Sequence, residues 1–223
     1  MQLKSLKASL LATALCAPLL AHAEFGIYAK AGTFGFGGGI GYGVTENLTA
    51  RLGYTAFNYD TDVDTDDVNY DAEAKIGGGE LMLDWHPFSG SFRLTAGMIA
   101  NRNKIDVEAK ANQSVTINGT TYTSSQLGTL DGTVDFKSTA PYLGIGWGNV
   151  AGKNGNFHFV ADIGVVFQGS PDVKLNGTCG ASLSAPQCSQ LQSNVQAEED
   201  DLNDEVSDYK HWPVISFGLG YRF

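Results

Sequence analysis

The side chains with chemistry to offer are three histidines, two cysteines, a run of carboxylates and a glycine-rich stretch. Beyond residue 23 the histidines are His86, His158 and His211. A catalytic pair needs nucleophile and base within hydrogen-bond reach. Ser216 follows His211 by five positions, an odd separation that puts the two on opposite faces of a strand. The sequence places no serine beside His86 or His158. No catalytic residue is therefore assigned, and the chain is not expected to be an enzyme. Across residues 60–71 Asp62, Asp64 and Asp66 fall on positions one, three and five of a calcium loop, with Glu73 on position twelve. Asp67 occupies the sixth position, where that loop needs glycine for its sharp turn. A solvated acidic surface loop is expected instead, with no metal ligands. The glycine-rich run 35–43 lacks the G-x-G-x-x-G order of a dinucleotide loop, so no cofactor-binding residue is assigned. Cys179 and Cys188, nine apart, read as one disulfide in an oxidising compartment, and less well as metal ligands.

These groups must be positioned by strands. In the last thirteen residues Pro213, Ile215, Phe217, Leu219, Tyr221 and Phe223 share one face. The other face carries Trp212, Val214, Ser216, Gly218, Gly220 and Arg222. The bulky face is the apolar one and the opposite face is small, which inverts a soluble strand and fits a membrane barrel, apolar outward and polar inward. The same alternation runs through residues 24–32, 34–44, 48–60, 70–86, 92–106, 134–149 and 157–168. In 34–44 it sets Phe34, Phe36, Ile40, Tyr42 and Val44 outward against a line of inward glycines, as in a narrow barrel that must admit large side chains from other strands. Gly77–Gly79 reads as a bulge. Connections alternate short and long, which predicts short turns at one end and long loops at the other. The long loops are 107–133, polar throughout, and 169–210. Within the second, residues 196–208 read either as a short acidic helix carrying Leu202 and Val206 or as a solvated loop. The connection at 32–33 is the exception, being very short. The expected fold is all-β, a membrane-spanning antiparallel up-and-down barrel of eight strands.

Residues 1–23 carry Lys4 and Lys7, an apolar run and Ala21-His22-Ala23, the pattern of a secretory signal with an A-x-A cleavage site. Residues 24–223 would then form the barrel. The apolar run is shorter than the roughly 20 residues of a membrane helix. Composition agrees: 17% of residues are charged, against 28 Gly, 12 Phe, 9 Tyr and 3 Trp, which suits tight turns and aromatic belts. The net charge is −10, and residues 1–23 hold two Lys and no acid, so the remainder carries −12. Such a chain offers nucleic acid no basic patch.

The alternation turns several charges inward. Arg51, Asp84 and Arg93 point into the lumen on three consecutive strands, each three or four residues from a short turn. Adjacent strands lie about 4.8 Å apart, so an ionic belt is expected near that end, with Asp84 between two guanidinium groups. Glu80 lies one pair of residues higher, and Asp162 is expected across the lumen beside Lys30. The expected role is a structural plug.

The signal, the alternation and the terminal Phe223, with Tyr221 and Leu219 on its face, resemble small eight-stranded bacterial outer-membrane barrels of the OmpA, OmpX and OmpW type. The resemblance covers residues 24–223 apart from the loops. It implies an outer-membrane location among lipids and lipopolysaccharide, and a monomer. It also implies insertion by the barrel machinery through the signal at Leu219, Tyr221 and Phe223. It leaves three functions: a non-enzymatic barrel anchoring surface loops, a carrier or minor channel for small or apolar solutes, and an embedded enzyme such as a lipid A-modifying one. An eight-stranded barrel is just wide enough for side chains to fill, which favours the first.

Overall fold

A computed structural model describes residues 24–64, 69–110, 114–151 and 157–223. The expected signal segment lies outside the described residues. Among the described residues thirteen strands and one helix follow in order: β1 (Phe25–Gly32), β2 (Gly35–Thr45), β3 (Leu48–Asp64), β4 (Asn69–Trp85), β5 (Phe92–Asn101), β6 (Lys104–Lys110), β7 (Val115–Ile117), β8 (Thr120–Tyr122), β9 (Leu127–Asp135), β10 (Thr139–Trp147), β11 (Phe157–Phe167), β12 (Asp172–Cys179), α1 (Ala185–Val206) and β13 (His211–Arg222). Eight of them, β1 to β5, β10, β11 and β13, form a closed antiparallel barrel in which β13 returns to β1 and β4 pairs with β5.

The wall follows the alternation. Phe36, Ile40, Leu52, Leu81, Leu143, Phe159, Phe217 and Leu219 face outward with half or more of their surface exposed. Monomeric soluble proteins rarely expose so continuous an apolar belt; a bilayer would cover it. At the end with short turns, Phe88, Phe92 and Trp147 touch ring to ring, as do Phe157, Tyr221 and Phe223. At the other end Phe36 meets Phe57, which stacks on Tyr59. Two aromatic girdles thus bound the belt.

β3 and β4 are each 17 residues long, well beyond the 9–11 that cross a bilayer. Their excess forms a second structure. The lower half of β4 pairs with β5 up to Gly78↔Asn101, and the upper half pairs with β6 from Lys75↔Lys104. β9 and β12 add to β6, making a head sheet continuous with the barrel wall. Residues 60–64 and 69–71 are therefore strand ends, not the acidic loop expected, while 65–68 lie outside the described residues. Likewise 92–106 and 134–149 are not single strands: the chain leaves the barrel near Arg102 and re-enters near Ser138. The loops expected at 107–133 and 169–210 hold β6 to β9, and β12 with α1. β6 forms on the ordered edge that β4 offers, β9 adds to β6 and β12 to β9, while β7 and β8 pair as a separate hairpin.

Gly77–Gly79 is not a bulge; β3 and β4 stay in register through Ala56↔Gly77 and Tyr54↔Gly79. It is where β4 changes neighbours. Gly77 and Gly78 take φ of 124° and 156°, and a Cβ on either would lie within 2.2 Å of a backbone oxygen. The Gly77 N–H is satisfied by Asn103 Oδ1 at 2.9 Å, and its carbonyl accepts from Arg102 N.

The head has its own core, where Ile117, Leu127, Leu191 and Val195 pack together over the sheet. α1 opens at Ser184, whose N–H donates to Gln187 Oε1 at 3.0 Å. It is longer than the acidic helix expected at 196–208 and begins before Cys188. The capping pattern Ser184-x-x-Gln187 with Pro186 in the first turn marked that start. The Cys179–Cys188 disulfide joins the end of β12 to that first turn. α1 also covers β12, the last strand of the head sheet. Gln192 donates to Gly177 O, Glu199 accepts from Leu175 N, and Asn203 both accepts from Val173 N and donates to its carbonyl, all at 2.7–2.8 Å. Spaced at 192, 199 and 203, these side chains occupy one helix face and satisfy an edge that would otherwise invite another chain. Among the described residues no helix is long and apolar enough to cross a membrane.

Candidate functional site

The barrel interior is the first candidate. Arg51, Glu80, Asp84, Arg93 and Asp162 are each at most 2% exposed. They come from β3, β4, β5 and β11, whose inward positions fall at matching heights through Arg51↔Met82, Asp84↔Thr95 and Gly146↔Asp162. Asp84 lies between the two guanidinium groups: Arg51 Nη2 donates to Oδ1 at 3.0 Å, and Arg93 Nε lies 3.6 Å from the same oxygen. Arg51 Nε approaches Oδ2 at 2.6 Å as an ion-pair contact rather than an aligned hydrogen bond. Thr95 Oγ1 donates to Asp84 at 2.7 Å.

Asp162 lies in the lumen near Lys30, with which it lines one cavity, but its ion pairs are made elsewhere. It is not paired with Lys30 but accepts from Arg51 Nη2 at 3.0 Å and Arg93 Nη2 at 2.7 Å. Both arginines reach across the lumen, so Asp162 joins the same cluster. Lys30 instead donates to Glu80 at 2.7 Å, and Thr55 donates to the other oxygen of that carboxylate at 3.0 Å. The remaining Arg93 protons go to the carbonyls of Trp147, Gly148 and Ala161. Three cations therefore face three carboxylates in the lumen. Buried charges require such pairing.

Large neutral side chains fill the space on either side, and glycines make their room. A Cβ on Gly53 would lie 2.4 Å from Tyr28 Oη, one on Gly164 2.4 Å from Tyr142 Oη, and one on Gly146 2.8 Å from the Arg93 guanidinium. Toward the head, Phe34, Ile99, Tyr142, Val166 and Val214 form an apolar layer. Phe34 is a correction. It does not share the outward face of Phe36; it is 3% exposed, with its ring 6.5 Å from Trp212. Thr33 and Phe34 make a two-residue turn, and Gly35 at φ 101° resets the alternation after it. At the opposite end Val150, fully buried beside Tyr28 and Val160, tucks the 148–151 turn into the barrel. Neither residue was legible as interior, because both lie in turns where strand alternation fails. Between the ionic and apolar layers a cavity of about 10 Å³ remains, space for one water at most.

The histidines are not gathered. His86 is buried at the strand end with Nδ1 3.0 Å from Gly90 O. His158 lies inward beside Gly220. His211 is outward against Phe167, while Ser216 is inward and 3.4 Å from Asp162.

A second candidate lies on the head. Six carboxylates line a groove of about 470 Å³: Asp60, Asp71, Glu73, Asp106, Glu108 and Asp131. They stand in two rows, Asp60↔Glu73↔Asp106 and Asp71↔Glu108↔Asp131, acid opposite acid on adjacent strands. Lys75 reaches Glu73 at 2.8 Å and Lys104 reaches Asp106 at 2.7 Å. Thr133 also donates to Asp106 at 2.9 Å. Partial burial would raise the Asp106 carboxyl, but the Lys104 and Thr133 bonds outweigh it and hold the group below its ordinary value.

No protein-family model matches the chain, and none of the curated proteins does. Two solved Acinetobacter baumannii outer-membrane barrels share its fold. CarO2 is 20% identical with a TM-score of 0.56, covering 90% of this chain and 98% of its own. CarO is 24% identical with a TM-score of 0.56, covering 89% of this chain and 97% of its own. At these identities the likeness is one of fold: an all-β, eight-stranded closed barrel over nearly the whole length of each chain.

Proposed function

We propose that this protein is an integral outer-membrane barrel without enzymatic activity, whose interior is plugged and whose head makes the contacts at the cell surface. The plug is the observation that carries the reading. Three cations and three carboxylates, nearly all fully buried, span the lumen beneath an apolar layer, and the cavity between them is about 10 Å³. Opening a path would separate buried charges from their partners, at a cost of several kcal/mol for each. The outward apolar belt with its two girdles supports the membrane reading, as does the fold shared with the Acinetobacter barrels. Outer-membrane lipids and lipopolysaccharide would cover the belt. Leu219, Tyr221 and Phe223 would serve the insertion machinery, and the continuous lipid-facing wall suits a monomer. Within this reading the chain is of the small OmpA, OmpX and OmpW kind.

Swelling of liposomes reconstituted with folded protein tests it. Uptake of small sugars and amino acids should match protein-free liposomes. Swelling that rises with the amount of folded protein would show an open path and overturn the plug.

A further inference from the structure

The base of the head does not sit flush on the barrel. Between them lies a cavity of about 550 Å³, within the roughly 300–1,000 Å³ range of small-molecule sites. Its walls are Ile105, Val134 and Phe136 from the head sheet, Val206 from the end of α1, and Trp212 and Pro213 from β13. The gap exists because the β1–β2 hairpin is cut short at Thr33, while β3 and β4 on one side and β11 and β13 on the other continue upward. Thr33 is fixed there by donating to Pro213 O at 2.8 Å and accepting from Ile215 N at 3.1 Å. The cavity floor runs onto His211 and Pro213, which share the outward face of β13 with Ile215 and Phe217. An apolar chamber is thus continuous with the lipid-facing belt at its upper edge.

One end is polar and cationic. Gln168 is 2% exposed, accepting from Asn103 Nδ2 at 3.1 Å and donating to Tyr209 O at 3.5 Å. The stem of Lys137 lies over the adjacent Gly169, whose φ of 75° and missing side chain admit it. Lys137 follows Phe136 of the cavity wall, and its ammonium lies 3.2 Å from where a Cβ on Gly169 would stand, one residue along from Gln168 of the same wall. On a chain of net charge −10 a cation beside an apolar chamber is a selective feature.

We propose that this cavity binds the hydrocarbon chain of a single-chain anionic amphiphile, of the fatty-acid class, which enters from the outer leaflet and leaves its carboxylate at Lys137. This rests on the membrane reading above. Trp212 in the cavity wall is a built-in reporter. The full-length protein with Trp85→Phe and Trp147→Phe, in phospholipid nanodiscs, would be titrated with 9,10-dibromostearic acid while Trp212 fluorescence is followed. Quenching should saturate at a low mole fraction and be reversed by unlabelled stearate. Val134→Phe and Ile105→Phe, which fill the cavity, should abolish the saturable part. Lys137→Gln should raise the half-quenching concentration by about two- to fivefold, as loss of a partly exposed ion pair does, and leave the corresponding brominated alcohol unaffected. Quenching that grows linearly with bromolipid and is not reversed by stearate would overturn the site, and needs no variant to be seen. An equal response of acid and alcohol to Lys137→Gln would overturn the anionic headgroup. Failure of the membrane reading is seen separately, as absence of quenching of the unmodified protein's Trp85 and Trp147 by brominated phospholipid.

Discussion

Within the lumen Asp84 lies 2.6 Å from Arg51, and Asp162 lies 2.7 Å from Arg93. On the head, Glu73 faces Asp60 and Asp106 across neighbouring strands, and Glu108 faces Asp71 and Asp131. One sheet carries both arrangements, and β4 contributes to each. The difference is solvent. Two like charges about 5 Å apart in water repel by roughly 1 kcal/mol, while the same pair in a dry interior would repel by many times that. The lumen must therefore balance its charges one for one, whereas the head can leave acids opposed. Lys75 and Lys104, around two-fifths exposed, relieve only part of one row. The lumen pairs its charges; the head keeps a strongly negative groove at a small cost in stability.

The largest test of that contrast is removal of one acid from each region. Asp84→Ala strands two guanidinium groups beside a single remaining carboxylate, Asp162, and should destabilise the barrel by about 3–5 kcal/mol. Thermal or denaturant unfolding in detergent, followed by the heat-dependent gel migration of the barrel, measures it. Asp131→Ala, on the head, should leave that transition in place. Equal stability of Asp84→Ala and the parent would mean that the cluster is not what holds the lumen shut.

The barrel half of this contrast could be read from sequence, because strand alternation is rigid: once Arg51, Asp84 and Arg93 are placed on inward positions near short turns, their meeting follows from strand spacing. Asp162 could be placed in the lumen but not with its partner, since side-chain reach across a barrel depends on tilt and rotamer, which alternation does not specify. The head was hidden for a different reason. Its apolar stripes are short, Ile105, Val107 and Ala109 in β6 and Val173 and Leu175 in β12, and segments such as 127–135, Leu-Gly-Thr-Leu-Asp-Gly-Thr-Val-Asp, put only Leu130 and Val134 together on one face. They become strands through long-range pairing in series, β6 on β4, β9 on β6 and β12 on β9, which no local pattern announces. α1 is half legible: residues 196–208 carry its acidic end, while its start rests on the Ser184 cap and on Leu191 and Val195, four apart and buried.

Reduction sharpens the comparison by loosening the head alone. The Cys179–Cys188 bond closes a loop nine residues apart in sequence, worth about 2–3 kcal/mol on the chain-entropy model. Under reducing conditions amide exchange should rise across β12 and the first turns of α1, with the barrel strands unchanged. If exchange rose equally in β10 and β11, head and barrel would be one cooperative unit, and the contrast drawn between them would lose its basis.

A smaller effect should follow Asn203→Ala. This residue holds both backbone groups of Val173 at 2.8 Å. Its loss uncovers part of the β12 edge, at about 1–2 kcal/mol for the unmade bonds. The clearer readout is association: light scattering at rising protein concentration should detect oligomers that the parent does not form, because an open edge is a template for another strand. A monomeric Asn203→Ala protein would mean that Gln192 and Glu199 cover the edge without it.

The smallest effect has the opposite sign and bears most directly on the groove. Glu108 has an acid directly across each neighbouring strand. Cross-strand pairs contribute about 0.2–1 kcal/mol, and like charges directly opposite are unfavourable. Glu108→Gln keeps the shape and removes one charge from the middle of the row, so it should stabilise the head by a few tenths of a kcal/mol. The gain should be largest at low ionic strength and fade near 1 M salt, where the screening length falls to about 3 Å, shorter than the strand spacing. Exchange protection of β6 and β9 at two salt concentrations would show it. A stabilisation that survives high salt would come from packing rather than charge. Destabilisation by Glu108→Gln would mean that the row is held by a cation, and the groove would then have to be understood as an occupied site instead of a tolerated repulsion.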